Sequence, residues 1–348
     1  MKKLNVAVIG YGWAATAHIE AINKGLLGQV TAVYSSRPLD PAELSKKHGG
    51  LIKVYRDLKA MLADKTIDVV SVTSYPWQHA EQIIAIANAG KHIIAEKPLV
   101  LTLKDLRAVE AAIGKAKVNF TICFECRWSS HFQVTKAIID RGLIGHIHYG
   151  EVDYYHGIGP WYGQYRWNVT KKGGGSSLLT AGCHALDALL LCMGSEVDEV
   201  TSYDTRSKSK VFEPYEYTTS SVTLLKFKNG SIGKCAAVVD CFQPYYFHTH
   251  LVGSEGSILD NKLHSNLLGG LNKNKWSQLS MSLMDSGDVH DHPYQAEFDA
   301  FFEAVDQGRE MPLTGLKEAV ASHEAILAAD LSASRGGKPV RLADLRKK

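Results

Sequence analysis

Short apolar runs alternate with amphipathic stretches over the first third of the chain. Leu4-Asn-Val-Ala-Val-Ile9 is an apolar run ended by glycine, the pattern of a buried parallel strand. Ala14 to Lys24 reads as a helix, Val30 to Ser35 as a second strand, and Pro41 to His48 as a helix stopped by Gly49-Gly50. Ile67 to Thr73 is a further strand, and a helix over about 79–89 ends at Gly90. Lys91 to Ala95 is the next strand, Leu103 to Gly114 a helix, and Val118 to Phe124 closes the series. Strands alternating with helices through short turns predict a doubly wound α/β domain, with a parallel sheet covered on both faces, over residues 1–124.

The pattern changes after Arg127. Helices are expected over 132–140 and 177–193, and long alternating segments follow. Tyr217 to Phe227 and Ser231 to Asp240 flank Lys228-Asn229-Gly230, a hairpin signal. His248 to Val252, Gly256 to Leu259 and Ser277 to Leu283 read as strands, and 294–307 and 316–334 as helices. Residues 125–348 are therefore expected to form an α+β domain on a largely antiparallel open sheet.

Composition narrows the class. Lys and Arg number 39 against 36 Asp and Glu, a formal charge of +3, and no basic stripe is interleaved with aromatics, so nucleic acid is not an expected partner. Leu4 to Ile9 is too short for a secretory apolar core, and no apolar run approaches the roughly 18 residues of a membrane span. A cytoplasmic protein with no membrane partner is the expectation. The six cysteines are scattered, which fits reduced thiols. Cys123 and Cys126 form a lone C-x-x-C whose members point to opposite faces on a strand. His248 and His250 share a strand face and His290 and His292 flank Asp291, but neither set completes a metal site, and no metal is expected.

Gly10-Tyr-Gly12-Trp13-Ala14-Ala15 is G-x-G-x-x-A between a strand and a helix. Its first glycine permits a tight turn, its second lets backbone approach a pyrophosphate, and Ala15 lets helix pack on strand. The helix N-terminus then offers N–H groups to an anion. This is the signature of a Rossmann dinucleotide site. Its usual ribose-binding carboxylate is missing, because the second strand ends Tyr34-Ser35-Ser36-Arg37 and the next acid is Asp40. Ser36 and Arg37 suit a 2′-phosphate, which favours NADP over NAD. The competing reading makes Arg37 a solvated loop residue. Ser74, His79, Glu96 and Lys97 complete the set of cofactor-contact candidates.

Glu96-Lys97-Pro98 ends a strand, where open α/β sheets bind ligands. Lys97 can exchange a proton with a substrate oxygen if its pKa, ordinarily about 10.4, is depressed by desolvation or by an oxidised nicotinamide. A surface lysine paired with Glu96 is the competing reading. A second cluster follows Gly173-Gly-Gly: on a helix Thr180, His184 and Asp187 share one face. That places His184 for acid–base work, with Asp187 to orient it; a hydrogen-bonded core histidine is the bland alternative. Tyr154, Tyr155, His156, Trp161, Tyr162, Arg166 and Trp167 suit either a sugar-stacking wall or loop packing.

Taken together, the glycine turn, Glu96-Lys97-Pro98 and the Gly182-x-His184-x-x-Asp187 helix resemble the Gfo/Idh/MocA family, which includes glucose–fructose oxidoreductase and inositol dehydrogenases. Phe124-Glu-Cys-Arg127-Trp128 and Val252-Gly-Ser-Glu-Gly256 extend the resemblance over nearly the whole chain. It implies a Rossmann domain followed by a sheet-based substrate domain, a homodimer or homotetramer, and NAD(P)-dependent interconversion of a secondary hydroxyl and a ketone on a sugar, polyol or glycoside. Lys97 and His184 match the family's catalytic pair; Arg127, Thr180, Asp187, Tyr155, His156, Trp161 and Arg166 are the substrate-contact candidates. Many family members carry Asp where this chain has Thr180, which holds no charge near neutral pH. Two rival activities remain open: a glycosidase that uses bound NAD by oxidation and elimination, and a sugar or dinucleotide sensor without turnover.

Overall fold

The computed structural model describes residues 3–347. Strands β1 (Leu4–Ile9), β2 (Gly28–Tyr34), β3 (Lys53–Tyr55), β4 (Val69–Val72), β5 (His92–Ala95) and β6 (Phe120–Ile122) form one sheet in the order β3-β2-β1-β4-β5-β6. Every pairing in it is parallel. Val6 to Ile9 and Val69 to Val72 are buried, as the unbroken apolar runs require of strands covered on both faces. Strand order reverses between β1 and β4, and ligands of such sheets bind at the carboxyl ends of strands at that switch point.

Helices α1 (Trp13–Lys24), α2 (Pro41–His48), α3 (Leu58–Ala63), α4 (Pro76–Asn88) and α5 (Leu103–Ala116) make the connections. Asp40, Asp57 and Thr102 cap α2, α3 and α5 by accepting from backbone N–H groups. No side chain caps α1. The strand β3 and helix α3 lay outside the sequence expectation, because three and six residues are too few to show a period.

The second unit contains α6 (Ser130–Asp140), β7 (Ile147–Tyr155), the single turns α7 (Tyr165–Asn168) and α8 (Lys171–Gly174), a π-helical turn at Leu178–Gly182, and α9 (Cys183–Met193). Strands β8 (Val197–Thr205), β9 (Ser220–Phe227), β10 (Ile232–Val238), β11 (Tyr246–Gly253), β12 (Gly256–Leu259), β13 (Lys262–Ser265) and β14 (Ser277–Gln278) follow. They join β7 and β15 (Val340–Arg341) in a nine-stranded sheet, β14-β13-β12-β11-β7-β10-β9-β8-β15. Only β7 and β10 pair in parallel, and the expected Asn229-Gly230 hairpin joins β9 to β10. The strand expected to run to Leu283 stops at Gln278.

Every residue of α9 except Leu190 is buried, so α9 is a core helix of its unit. A Cβ on Gly150 of β7 would lie 2.3 Å from the Met193 sulfur, and one on Gly182 would lie 2.3 Å from the Ala237 Cβ on β10. The helix sits that close to one face of the sheet because these positions carry no side chain. The stretch Lys171–Met193 is long and apolar enough to cross a membrane, contrary to the sequence expectation, but 83% of its apolar window is buried inside the protein. Its apolarity is accounted for by the core.

The division of the chain differs from a single cut after residue 124. One unit comprises Met1–Glu125 with Asp288–Val320, and the other Cys126–Gly287 with Ala321–Lys348. The returning helix α10 (Tyr294–Asp306) explains the difference. Its Phe302 ring lies within 2.7 Å of where a Gly28 Cβ would stand, and Thr121 donates to its Glu297 at 2.7 Å. Helix α11 (Leu316–Ser334) straddles the division, and the turn α12 (Leu342–Leu345) ends the second unit.

Candidate active site

In the first unit, β1 delivers Gly10 to the switch point. Gly10 has φ +94°, and a Cβ there would lie 2.9 Å from the Thr73 carbonyl oxygen. Only glycine meets both conditions. Nothing lies within 4 Å of where a Gly12 Cβ would stand, so the turn is open beside it. Ala15 is fully buried against the sheet. The open turn and the start of the 12-residue helix α1 fit a pyrophosphate: backbone can approach it, and the N-cap Gly12 has no side chain to cap the helix. Trp13 and Ala14 are half-buried in that first turn.

At the end of β2, Ser36 and Arg37 are exposed. Arg37 donates to the Tyr11 carbonyl at 2.7 Å, and Arg56 donates to the Ser36 carbonyl at 3.0 Å. Lys47 lies 5.6 Å from the Tyr11 ring centroid, and the Tyr11 hydroxyl bonds His48 at 2.8 Å. Asp40, the first carboxylate after the strand, accepts from Ala42 N–H as the α2 cap. Cationic side chains thus gather where a ribose-binding acid usually stands. Arg56 escaped the sequence reading because it follows the unexpected strand β3.

Lys97 is half-buried at the end of β5. Its backbone N–H donates to Glu96 Oε2 at 3.1 Å. Glu96 Oε1 accepts from His18 Nε2 at 3.0 Å and from the Tyr294 hydroxyl at 2.6 Å. Burial alone would raise the Glu96 carboxyl. The hydrogen bond and charge of His18, the charge of Lys97 and the Tyr294 hydroxyl outweigh burial and hold it well below the usual carboxylate range. Both Glu96 oxygens are therefore engaged by protein. His79 is buried, with Nδ1 2.8 Å from the Pro98 carbonyl and Nε2 3.1 Å from that of Ser74; it ties the loop after β4 to the loop after β5. The Ser74 hydroxyl donates to Gln82 at 2.5 Å. His18 and Tyr294 carried no sequence signal, since they lie 78 and 198 residues from Glu96.

In the second unit, Thr180 lies in the π-helical turn and His184, 3% exposed, in the first turn of α9. A π-turn inserts a residue into the helical ladder and is frequent at functional sites. It also alters the one-face spacing expected for Thr180 and His184. The Thr180 hydroxyl bonds the Tyr217 phenol, which donates onward to the Asn168 carbonyl at 2.6 Å. Burial pushes the Tyr217 phenol up, opposed by that bond from Thr180. The glycine run ahead of this turn is a packing device: a Gly174 Cβ would lie 2.2 Å from the Asn168 oxygen and 2.3 Å from the Tyr217 hydroxyl.

Asp187 is fully buried and grips Arg127 in a two-pronged pair, Nε to Oδ2 at 2.6 Å and Nη2 to Oδ1 at 2.8 Å. Ser322 donates to Oδ1 at 2.6 Å. The structure thus joins two expected substrate contacts to each other and spends both Asp187 oxygens within the protein. Of the aromatic residues read as either a sugar-stacking wall or loop packing, Tyr154 and Tyr155 are sent to opposite faces by strand alternation. Tyr154 faces the α9 side, with its hydroxyl 2.9 Å from His156, and His156 stands 5.2 Å from Tyr162 and 4.9 Å from Tyr245 between ring centroids. Tyr155 points to the opposite face, stacked on Tyr246 and hydrogen-bonded to Asp153, away from α9. Trp161 is exposed and held by its indole N–H to the Gly157 carbonyl, and Arg166 is exposed on α7.

A switch-point glycine turn, a lysine held at the end of β5 and a sheet-based second unit define a two-unit oxidoreductase with a nicotinamide-dinucleotide domain. Residues 4–124 match the model of the oxidoreductase family with an NAD-binding Rossmann fold, and residues 132–259 match that family's C-terminal domain. The chain belongs to the Gfo/Idh/MocA family. It is 27% identical over 258 residues to a myo-inositol 2-dehydrogenase of Thermotoga maritima, covering 73% of this chain and 74% of that relative. It is 25% identical to an NAD-dependent scyllo-inositol 2-dehydrogenase of Bacillus subtilis, covering 98% and 96%. The crystal structure of scyllo-inositol dehydrogenase from Lactobacillus casei, with bound NAD(H) and scyllo-inositol, shares the fold with a TM-score of 0.81 at 21% identity, covering 98% and 100%.

Proposed function

We propose that this protein interconverts a secondary hydroxyl and a ketone on a sugar or polyol, with Lys97 as the proton acceptor and His184 assisting or orienting the substrate. The observation that carries the reading is the buried Glu96 network, which holds the Lys97 backbone at the sheet's carboxyl edge beside an open glycine turn. Relatives named for inositols lend support for the substrate class. In the oxidative direction the hydroxyl O–H proton passes to the Lys97 amine while the carbinol C–H leaves with its electron pair, giving a ketone. A bound oxidised nicotinamide supplies the acceptor for that pair. Thr180, in place of a carboxylate, offers a neutral hydroxyl, so acid–base work falls on Lys97 and His184.

For the cofactor, NADP is favoured over NAD. Arg37 and Arg56 gather where a 2′-phosphate would lie, and Asp40 is committed to capping α2. Self-association into a dimer or tetramer is supported by Val222, Leu224 and Ile232, which are exposed on one face of the nine-stranded sheet. The free cysteines fit a reducing, cytoplasmic setting. The test is a panel of sugars and polyols followed at the reduced-nicotinamide absorbance with NAD and NADP in parallel, repeated with Arg37→Ala. Cofactor reduction with a polyol, and a loss of roughly tenfold or more in the NADP-to-NAD ratio on removing a charge-assisted contact, is expected. An unchanged ratio refutes the cofactor assignment, and release of an aglycone without net reduction points instead to glycoside cleavage.

A further inference from the structure

We propose that Glu151, His248 and His250 form a binding site for a divalent transition cation of the zinc class, on the face of the nine-stranded sheet opposite α9. The three side chains belong to two adjacent strands. His248 and His250 stand two residues apart on β11, so both point to one face. The antiparallel register sets His250 directly across from Glu151 on β7, and His248 across from Asp153. One ligating atom of each of the three lies within 4.8 Å of the others. Zinc bonds of about 2.0–2.2 Å to nitrogen and oxygen need ligand atoms somewhat closer than that, which side-chain rotation supplies.

The surroundings match what a metal-binding histidine requires. His248 Nδ1 lies 3.2 Å from Asp260 Oδ1, and Asp260 is itself fixed by the Thr249 N–H at 3.0 Å and the Tyr246 hydroxyl at 2.9 Å. A carboxylate that accepts from one ring nitrogen sets the tautomer and leaves the other nitrogen's lone pair for a metal. The Tyr149 hydroxyl donates to Glu151 Oε2 at 2.8 Å and orients that carboxylate. Two imidazoles and one carboxylate, with a fourth position for water, suit zinc, cobalt or nickel, whereas calcium and magnesium prefer all-oxygen sets. All three residues are half-buried in the single chain.

In the metal-free protein Lys234 occupies the ion's electrostatic place. Its ammonium pairs with Glu151 and with Asp153, the latter at 2.6 Å. An arriving cation displaces Lys234 from Glu151 and leaves it on Asp153. Lys234 therefore competes with the metal, and removing it strengthens binding. This separates a metal site from a salt-bridged surface network, in which Lys234 is the stabilising partner.

The test uses untagged full-length protein stripped with a chelator, titrated calorimetrically with Zn²⁺, with Co²⁺ absorption as the coordination readout. One ion per chain and an intense tetrahedral Co²⁺ spectrum are expected. His250→Ala, His248→Ala and Glu151→Gln each weaken binding at least about tenfold, Asp260→Asn weakens it by about 10- to 100-fold through His248, and Lys234→Met tightens it. Circular dichroism and dinucleotide affinity establish that each variant is folded, and His250→Gln replaces His250→Ala if the latter is not. No saturable binding at 100 µM metal, or equal affinity in the His248→Ala/His250→Ala double variant, overturns the assignment.

Discussion

Replacing Glu96 by Gln keeps the shape of the side chain and removes its charge. In the native protein Glu96 takes three donors: His18 Nε2 and the Tyr294 hydroxyl on Oε1, and the Lys97 N–H on Oε2. Gln has one oxygen. If that oxygen keeps His18 and Tyr294, the Gln amide faces the Lys97 N–H, donor against donor. The carboxylate is 8% exposed, so water cannot make good the loss. Leaving a buried donor unsatisfied costs about 1–3 kcal/mol. For a unit of this size each kcal/mol lowers the melting temperature by about 2–4 °C, so a fall of about 2–12 °C is expected by calorimetry at pH 7. The pH dependence has a definite sign. The Glu96 carboxyl is held below its ordinary value, so its contribution is present above the unfolded carboxylate pKa of about 4.3 and is lost as pH falls toward the folded value. The gap between wild type and Glu96→Gln is therefore widest near neutrality and closes below about pH 4.3. A variant that melts within a degree of wild type at pH 7, or a gap that widens on acidification, refutes the reasoning.

Two further perturbations follow from the same geometry. Arg127→Met leaves the fully buried Asp187 with the Ser322 hydroxyl in place of a two-pronged ion pair, and should destabilise by about 3–5 kcal/mol in chemical denaturation; Arg127→Met combined with Asp187→Leu should recover much of it. Additive losses in the double variant would contradict this. Gly10→Ala places a Cβ at φ +94° and 2.9 Å from the Thr73 oxygen, which should cost about 1–3 kcal/mol and weaken dinucleotide affinity measured by fluorescence titration; unchanged affinity would show that the turn is not a cofactor cradle.

Much of the first unit was legible in the sequence because its strands are buried on both faces and read as apolar runs. Leu4 to Ile9 and Ile67 to Thr73 contain β1 and β4 to within two residues. The central strand β7 of the second sheet was missed. Ile147–Tyr155 sets Glu151, Asp153 and Tyr155 on one face and Gly150, Val152 and Tyr154 on the other, and the glycine and acids mask the alternation. That omission also hid the third ligand beside His248 and His250. Strand β8 was missed because Val197, Val200 and Tyr203 recur every three residues, a helical spacing; in the strand a bulge between Val197 and Glu199 puts Val197 and Val200 on the buried face, and Tyr203 is exposed on the other. The site shows the same limit. Lys97 and His184 are carried by local motifs, whereas the partners of Glu96 and Asp187 arrive from helices far along the chain, and no local pattern announces a hydrogen bond across 198 or 135 residues.

The central claim is that Lys97 takes the substrate proton. The most direct measurement compares wild type and Lys97→Met for turnover of the best polyol or sugar and, separately, for dinucleotide affinity. A positioned acid–base group contributes about 10²- to 10⁴-fold, so turnover should fall by at least 10² while dinucleotide affinity stays within a few-fold of wild type. Wild-type turnover in the variant, or loss of dinucleotide binding equal to the loss of rate, would contradict the account.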